Sequence, residues 1–211
     1  LAIFDGANEG RCSDDSPETA GYTLNLPTTG NVPAASLNAQ LTIEGTGAGE
    51  VYSVIVGGFN NQTGEFLIVI EGATLTAEDG IGDRYAINTT SLGEDTAITA
   101  YMLSADQGLD PILYLADSNF TPIADEGGVP IVCDDAGNEN LCWGGTQVLT
   151  NAELSLLGGA VIRGGERDAA LQLTSTEQTT YSGARLRLLA GSYQQSSIGD
   201  YVLILQLSNG G

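Results

Sequence analysis

Apolar and polar side chains alternate along most of the chain in short runs broken by Gly, Asn, Asp and Pro. This period of two predicts β-strands. Residues 21–27 (GYTLNLP) alternate until Pro27 stops them, and residues 36–44 (SLNAQLTIE) repeat the pattern. Residues 28–36 between them read as a polar turn region, and residues 72–82 as a linker or crossover. Residues 82–90 and 96–104 form two further strands, with Tyr85 and Ile87, then Ile98, Ala100 and Met102, on the apolar faces. Residues 109–128 predict a strand, a turn around Ser118 and Asn119, and a short second strand over 121–125. Residues 146–159 read as a strand pair and residues 167–176 as one strand. No stretch carries a helical period. The expectation is an all-β chain.

Two segments share a longer pattern. Residues 184–207 (ARLRLLAGSYQQSSIGDYVLILQL) and 50–70 (EVYSVIVGGFNNQTGEFLIVI) each run from apolar residues to Gly, an aromatic and an amide pair. A polar turn, Gly, an acidic residue, an aromatic and an aliphatic run follow, so both segments predict hairpins. Laid over each other, the two halves also align residues 1–10 with 113–122, Cys12 with Cys133, and 36–44 with 168–175. The strands at 82–90 and 96–104 have no counterpart in the first half; there they would have preceded Leu1. The expected organisation is a partial β-sandwich unit over 1–75, lacking two opening strands, and a complete unit over 76–211. Three things could cover the open edge: upstream chain, strands of a neighbouring molecule, or a different packing of the first unit.

Composition agrees with strands and tight turns: 211 residues with 29 Gly, few aromatics and 42% hydrophobic content, enough for a packed core. Charge adds exclusions. There are 27 acidic residues against six basic ones, all Arg, for a net charge of −21. Such a chain repels nucleic acid and anionic lipid, and favours divalent cations, cationic partners or a saline medium; it also serves plain solubility. The absence of His removes Ser-His-Asp triads, Cys-His pairs and His-based zinc sites. No carboxylate pair is singled out for hydrolysis, so a non-catalytic protein is expected.

The three cysteines suggest an oxidising compartment. Cys133 and Cys142 bracket an acidic, Asn- and Gly-bearing loop and are expected to form a local disulfide, two free thiols being the alternative. Cys12 has no obvious partner in the chain and is a candidate intermolecular thiol. The chain starts at Leu1 without a signal peptide and has no apolar run long enough to span a bilayer. The reading is an exported protein, extracellular or at the cell surface, with no membrane insertion.

The order GDRYAI, a strand, LDPILYLAD, PIAD, CDDAG, a strand, AGSYQQ and GDYVLIL resembles the bacterial pre-peptidase C-terminal domain. The resemblance covers residues 81–207 and, as a partial copy, 1–71. It implies jelly-roll-like antiparallel β-sandwiches in tandem, the first incomplete, of a kind carried by secreted peptidases and large surface proteins. The segment 129–165 departs from that pattern in being longer and in carrying the cysteine pair. Some members of that family bind calcium at acidic residues that connect strands.

The candidate metal ligands are Asp110, Asp117, Asp125, Asp134, Asp135 and Glu139, with Asn138 as a neutral donor. Calcium takes six to eight oxygen ligands, which such loops supply, although no EF-hand register is present and the same acids also serve as β-turn caps. Asp5, Asp14 and Asp15 are their first-half counterparts. Trp143 reads as a core or loop anchor, and Tyr193 and Phe59 as structural plugs. Three glycosylation sequons begin at Asn61, Asn88 and Asn119; in most bacteria such matches arise by chance.

These readings point to a non-catalytic extracellular structural protein that assembles with copies of itself into a filament or surface layer. The alternative is a module of a larger secreted enzyme or adhesin that binds a protein fibre or glycan. Gel electrophoresis checks Cys12. A disulfide to a second chain predicts a dimer band that collapses on reduction, and monomer in both lanes excludes it.

Overall fold

The computed structural model describes residues 2–4, 10–12, 23–26, 30–33, 53–55, 66–75, 82–90, 92–93, 96–105, 108–136, 142–143, 153–155, 161–195 and 197–208. The early strands are β1 (Ala2–Phe4), β2 (Gly10–Cys12), β3 (Thr23–Leu26), β4 (Gly30–Pro33) and β5 (Ser53–Ile55). Then come β6 (Phe66–Leu75), β7 (Asp83–Asn88), β8 (Ala97–Ser104), β9 (Pro111–Leu115) and β10 (Val132–Cys133). After β11 (Glu153–Ser155), β12 (Val161–Arg163) and β13 (Ala169–Thr174) the chain forms helix α1 (Ser175–Ser182). It ends in β14 (Arg185–Ser192) and β15 (Gly199–Ser208). The architecture is all-β apart from this one described α-helix.

The chain divides into two compact units, one of residues 1–64 and 153–161, the other of residues 65–152 and 162–211. The first holds a sheet of order β2-β1-β5 and a second in which β11, β3 and β4 are neighbours. Residues 30–33, expected as turn, are strand β4, because they pair antiparallel with β3 from Thr23↔Pro33 to Leu26↔Gly30.

The second unit contains two four-stranded antiparallel sheets, β10-β9-β14-β7 and β13-β8-β15-β6, an arrangement consistent with a β-sandwich. β9 lies against β8 and β13 of the other sheet. By register, Ile98, Ala100 and Met102 share a face with Leu171, Leu173, Leu203 and Leu205. The other sheet contributes Leu113, Leu115, Leu186, Leu188 and Ala190 from one face. All are buried, and each large aliphatic side chain contributes about 1.5–3 kcal/mol through removal from water. β8 and β15 are buried on both faces, so their near-continuous apolar runs follow from a central position in the sheet.

The hairpin expected over 184–207 is corrected by this topology. β14 pairs with β7 and β9, whereas β15 pairs with β6 and β8, so the segment 184–207 crosses from one sheet to the other. The crossing contains a 3-10 turn at Tyr193–Gln195 with Gln194 at φ 52. In the first half, among the described residues, β5 pairs with β1 and β6 with β15. β6 also extends through Leu75, into residues expected as linker. The short strand expected over 121–125 is reduced to the isolated bridges Ala116↔Pro122 and Ala124↔Pro130, since Pro122 and Pro130 donate no ladder hydrogen bond. The strand of 36–44 lies outside the described residues, and of 146–159 only β11 lies within them.

The helix also departs from expectation. Thr174 and Glu177 form a reciprocal capping box that starts it, and Gly183 at φ 72 ends it. Its buried residues are Ser175, Gln178 and Ser182, so an apolar period never arises. Polar bonds seat it instead: Ser182 Oγ donates to Ala116 O at 2.9 Å, Gln178 Nε2 to Gly183 O at 2.6 Å, and Thr89 Oγ1 to Gln178 Oε1 at 2.6 Å. Among the described residues no helix is long and apolar enough to cross a membrane.

One polar chain ties the sheets together. Tyr201 Oη donates to Asp83 Oδ2 at 2.5 Å, and the Tyr85 hydroxyl, 2.5 Å away, donates to Tyr201 Oη. Burial pushes Tyr85 up to about 12 and Tyr201 upward as well, so both hydroxyls keep their protons. Gly82 sets the approach of β7: its φ is +96, and an added Cβ would stand 1.9 Å from Ala190 O. Tyr201→Phe leaves the Tyr85 hydroxyl and the Asp83 carboxylate without their shared partner. The expected loss is roughly 1–3 kcal/mol in the unfolding free energy, measured by urea denaturation.

Candidate functional site

Strand pairing assembles the acidic corner. β9 and β10 pair antiparallel with Leu113 opposite Cys133, and the same register carried onward sets Pro111 beside Asp135 and Asp110 beside Ala136. Asp110 at the head of β9 thus meets the two residues that leave β10. Its backbone is clamped: Tyr193 N donates to Asp110 O at 2.8 Å, and Asp110 N donates to Ser197 Oγ at 3.0 Å. The result is a cluster of Asp110, Asp134 and Asp135 whose carboxylate oxygens lie within 4.8 Å of one another.

This cluster is under-satisfied. Asp134 is only 7% exposed, and its Oδ1 has no hydrogen-bond partner; Asp110 Oδ1 is likewise buried and unpartnered. Burial pushes Asp134 up to about 6, with Asp135 and then Asp110 adding like-charge repulsion. Asp110 is raised for the same reason, first by burial and then by Asp135, with Arg167 opposing. A buried, negatively charged oxygen without a donor carries a large desolvation cost. A hard cation with oxygen ligands removes that cost, so the arrangement could coordinate a metal ion.

A fourth carboxylate supports the corner from behind. Asp168 Oδ1 accepts from Ser104 N at 2.8 Å and its Oδ2 from Gly165 N at 2.6 Å. Its backbone carbonyl accepts from Ala136 N at 2.8 Å, which fixes the chain just after Asp134 and Asp135. Burial raises Asp168 to about 6 despite these bonds. Neither Asp168 nor Arg167 was named as a site residue from sequence. The available signal was an acidic residue directly before the buried run Ala169–Leu171.

The other expected ligands are elsewhere. Asp117 Oδ1 accepts from Asn119 N at 2.8 Å and Thr121 N at 2.9 Å, and these two bonds, that of Thr121 first, lower its carboxyl. Asp125 Oδ1 accepts from Gly127 N and Val129 N, both at 2.9 Å, and its Oδ2 from Trp143 Nε1 at 3.1 Å. The Trp143 bond, then that of Val129, lowers Asp125. Both side chains hold turns together and stand apart from the cluster. Glu139, Asn138, Asp5, Asp14, Asp15, Phe59 and Asn61 lie outside the described residues.

Cys133 and Cys142 form a disulfide, and Trp143 N donates to Val132 O at 2.8 Å beside it. Trp143 is half-buried, edge-on to Tyr181 at 6.1 Å, and acts as a loop anchor. Tyr193, expected as a plug, is instead 40% exposed, because the 3-10 turn that holds it faces outward at the sheet crossing. Cys12 ends β2. Asn88 and Asn119 are exposed; Asn88 Oδ1 accepts from Thr90 N at 3.1 Å and Thr90 Oγ1 at 2.8 Å.

No protein-family model matches the chain, and neither the curated proteins nor the solved structures contain a match to it.

The electrostatics give a pH signature. Asp134 and Asp168 rise from an ordinary 3.8 to about 6, so between about pH 4 and pH 6 the folded chain holds more protons than the unfolded one. In chelator, these two groups make the unfolding temperature fall as pH rises through that window. Asp117 and Asp125 act oppositely, and their contribution is lost as pH falls below about 4. Asp134→Asn supplies an amide donor to the neighbouring carboxylates. In chelator at pH 8 it should be more stable than the parent by about 1–2 kcal/mol, read by calorimetry; equal or lower stability would contradict the geometry described.

Proposed function

We propose that the chain is a non-catalytic extracellular structural protein that assembles with copies of itself through its β-sandwich units. The carrying observation is a concentration of scarce positive charge at a sheet edge. Arg185 and Arg187 of β14 stand on the same face as Arg84 of β7, by the pairings Arg185↔Asn88, Arg187↔Ala86 and Leu189↔Arg84. Three of six basic residues therefore gather beside β7, the outermost strand of its sheet among the described residues, on a chain of net charge −21. Arg84 and Arg185 are exposed, whereas Arg187 partly bonds Ser182 O at 2.8 Å. Such a face complements the acidic remainder of a second copy, and the neighbouring strand edge offers backbone pairing once the copies meet. The resulting contact is head-to-tail, the type that extends into filaments or layers.

Other features support parts of this reading. The Cys133–Cys142 disulfide fits an oxidising, extracellular setting. The orders β2-β1-β5 and β10-β9-β14 place the segments aligned between the two halves in the same succession, which supports tandem jelly-roll-like units related to the pre-peptidase C-terminal domain. We assign calcium to the Asp110–Asp134–Asp135 corner, where three carboxylates supply hard oxygen donors and backbone carbonyls and solvent complete the shell. Calcium would supply charge compensation there, and the residues would hold the loop after β10 against β9.

Sedimentation velocity and electron microscopy test assembly. The expected result is concentration-dependent polymer in calcium at low monovalent salt, loosened at about 0.5 M salt as screening shortens the reach of the charges. Arg84→Glu with Arg185→Glu should abolish polymer without moving the unfolding midpoint. Uniform monomers under every condition overturn the reading, and monomers that pull down with a protein fibre or glycan favour the accessory-module alternative. Calorimetry tests calcium, which at a hundredfold excess over its Kd stabilises by about 2.7 kcal/mol; no shift removes the ion from the reading.

A further inference from the structure

The disulfide and the acidic corner are built on the same few residues. Cys133 closes β10 and is followed at once by Asp134 and Asp135, so the bond to Cys142, nine positions on, covalently closes the loop that begins with two of the three clustered carboxylates. Both cysteines are buried, at 0% and 7% exposure. Ala170 N donates to Cys133 Sγ at 3.2 Å, holding that sulfur to the head of β13. Cys142 Sγ lies 3.5 Å from Asp135 O, a contact and not a hydrogen bond, since a disulfide sulfur carries no proton. One step along the chain, Ala136 N bonds Asp168 O.

Three neighbouring acids alone are weak evidence of a ligand site. Asp134 supplies the second observation: a side chain more than nine-tenths buried, its Oδ1 unpartnered, directed into the cluster.

Resting on the assignment of calcium to this corner, we propose that the cation and the Cys133–Cys142 disulfide are thermodynamically linked. Calcium binds the oxidised chain more tightly than the reduced chain, and bound calcium protects the disulfide from dithiol reductants. Reduction by a dithiol delivers two electrons and two protons to the sulfurs, breaks one S–S bond, leaves two thiols, and turns the reductant into its own disulfide. The chain between residues 133 and 142 then regains conformational freedom. That freedom must be lost again each time the carboxylates gather round an ion. Mutual repulsion of Asp110, Asp134 and Asp135, no longer opposed by covalent closure, then pushes the three carboxylates apart when the cation leaves. Linkage is reciprocal, so the factor by which reduction weakens calcium binding equals the factor by which calcium disfavours reduction. A factor of ten or more is expected, and tenfold corresponds to about 30 mV for a two-electron couple.

The test uses the full chain. Calorimetric titration with calcium chloride measures affinity of the oxidised protein. Equilibration in dithiol–disulfide buffers, with calcium or with chelator, is then read by mass-spectrometric counting of alkylated Cys133 and Cys142. Asp134→Asn, which keeps the disulfide and loses a ligand, is measured alongside. The expected result is calcium binding by the oxidised parent, at least a tenfold shift of its redox balance by calcium, and no shift in Asp134→Asn. Calcium binding with an unmoved redox balance overturns the linkage and leaves the calcium assignment standing. Absence of calcium binding to the oxidised chain overturns both. An equal shift in parent and variant overturns the origin of the linkage in this corner.

Discussion

The pairing of β9 with its two neighbours is the constraint on which the second unit depends. β14 on one side and β10 on the other hold Pro111–Leu115 in register, while its inward side chains Leu113 and Leu115 meet the opposite sheet. That register fixes three things together. It sets Asp110 at the strand head opposite the exit of β10, and it brings Cys133 to the place where Cys142 reaches it. It also leaves Asp134 buried with its Oδ1 unpartnered. A slip of one residue would turn Leu113 and Leu115 to the wrong face, so burial enforces the geometry of the acidic corner. The core therefore sustains a polar arrangement that is costly on its own.

The aspartates show how local satisfaction divides one residue type into two roles. Asp117 and Asp125 each receive two backbone donors in tight turns, and Asp125 the Trp143 indole as well; their charge is stabilised where it stands. Asp134 is buried and Asp110 half-buried against like charge, and each has a buried carboxylate oxygen without a partner. The first pair acts as internal struts that need no ligand. The second pair is stable only when protonated or compensated by a cation. On a chain with no Lys and no His, side-chain compensation comes from Arg alone, and among the described residues Arg167 is the one whose charge lowers Asp110.

Strand positions were largely legible in the sequence, because alternation and proline placement are local: β3 stops before Pro27, and β7 and β8 fall where Tyr85, Ile87, Ile98 and Met102 indicate. Pairing partners were not. The same string of an apolar run, a turn and an apolar run fits a hairpin and a crossing between sheets, and only the pairings of β14 and β15 distinguish them. Helix α1 was hidden because it docks through Ser175, Gln178 and Ser182, so its signal lies in the Thr174–Glu177 cap and not in hydrophobic period. In the acidic corner the residue types could be read, as could the disulfide. The separation of Asp110, Asp134 and Asp135 from the turn-holding Asp117 and Asp125 depends on register across β9 and β10, which composition does not encode.

The same distinction bears on the assembly proposed for this acidic, Lys-free chain. With a net charge of −21, two copies approaching at random repel, and the repulsion is long-ranged wherever salt is low. Association then needs local reversal of sign at the point of contact and relief of negative charge elsewhere. The face bearing Arg84, Arg185 and Arg187 supplies the first beside an outer strand of the sheet. A cation in the Asp110–Asp134–Asp135 corner would supply the second, where three carboxylates crowd together and two of their oxygens are buried without a partner. Under the proposed function, a medium rich in divalent ions would strengthen the fold and weaken the repulsion between copies through the same carboxylates. The acidity of this chain would then favour assembly in the presence of such ions and oppose it in their absence.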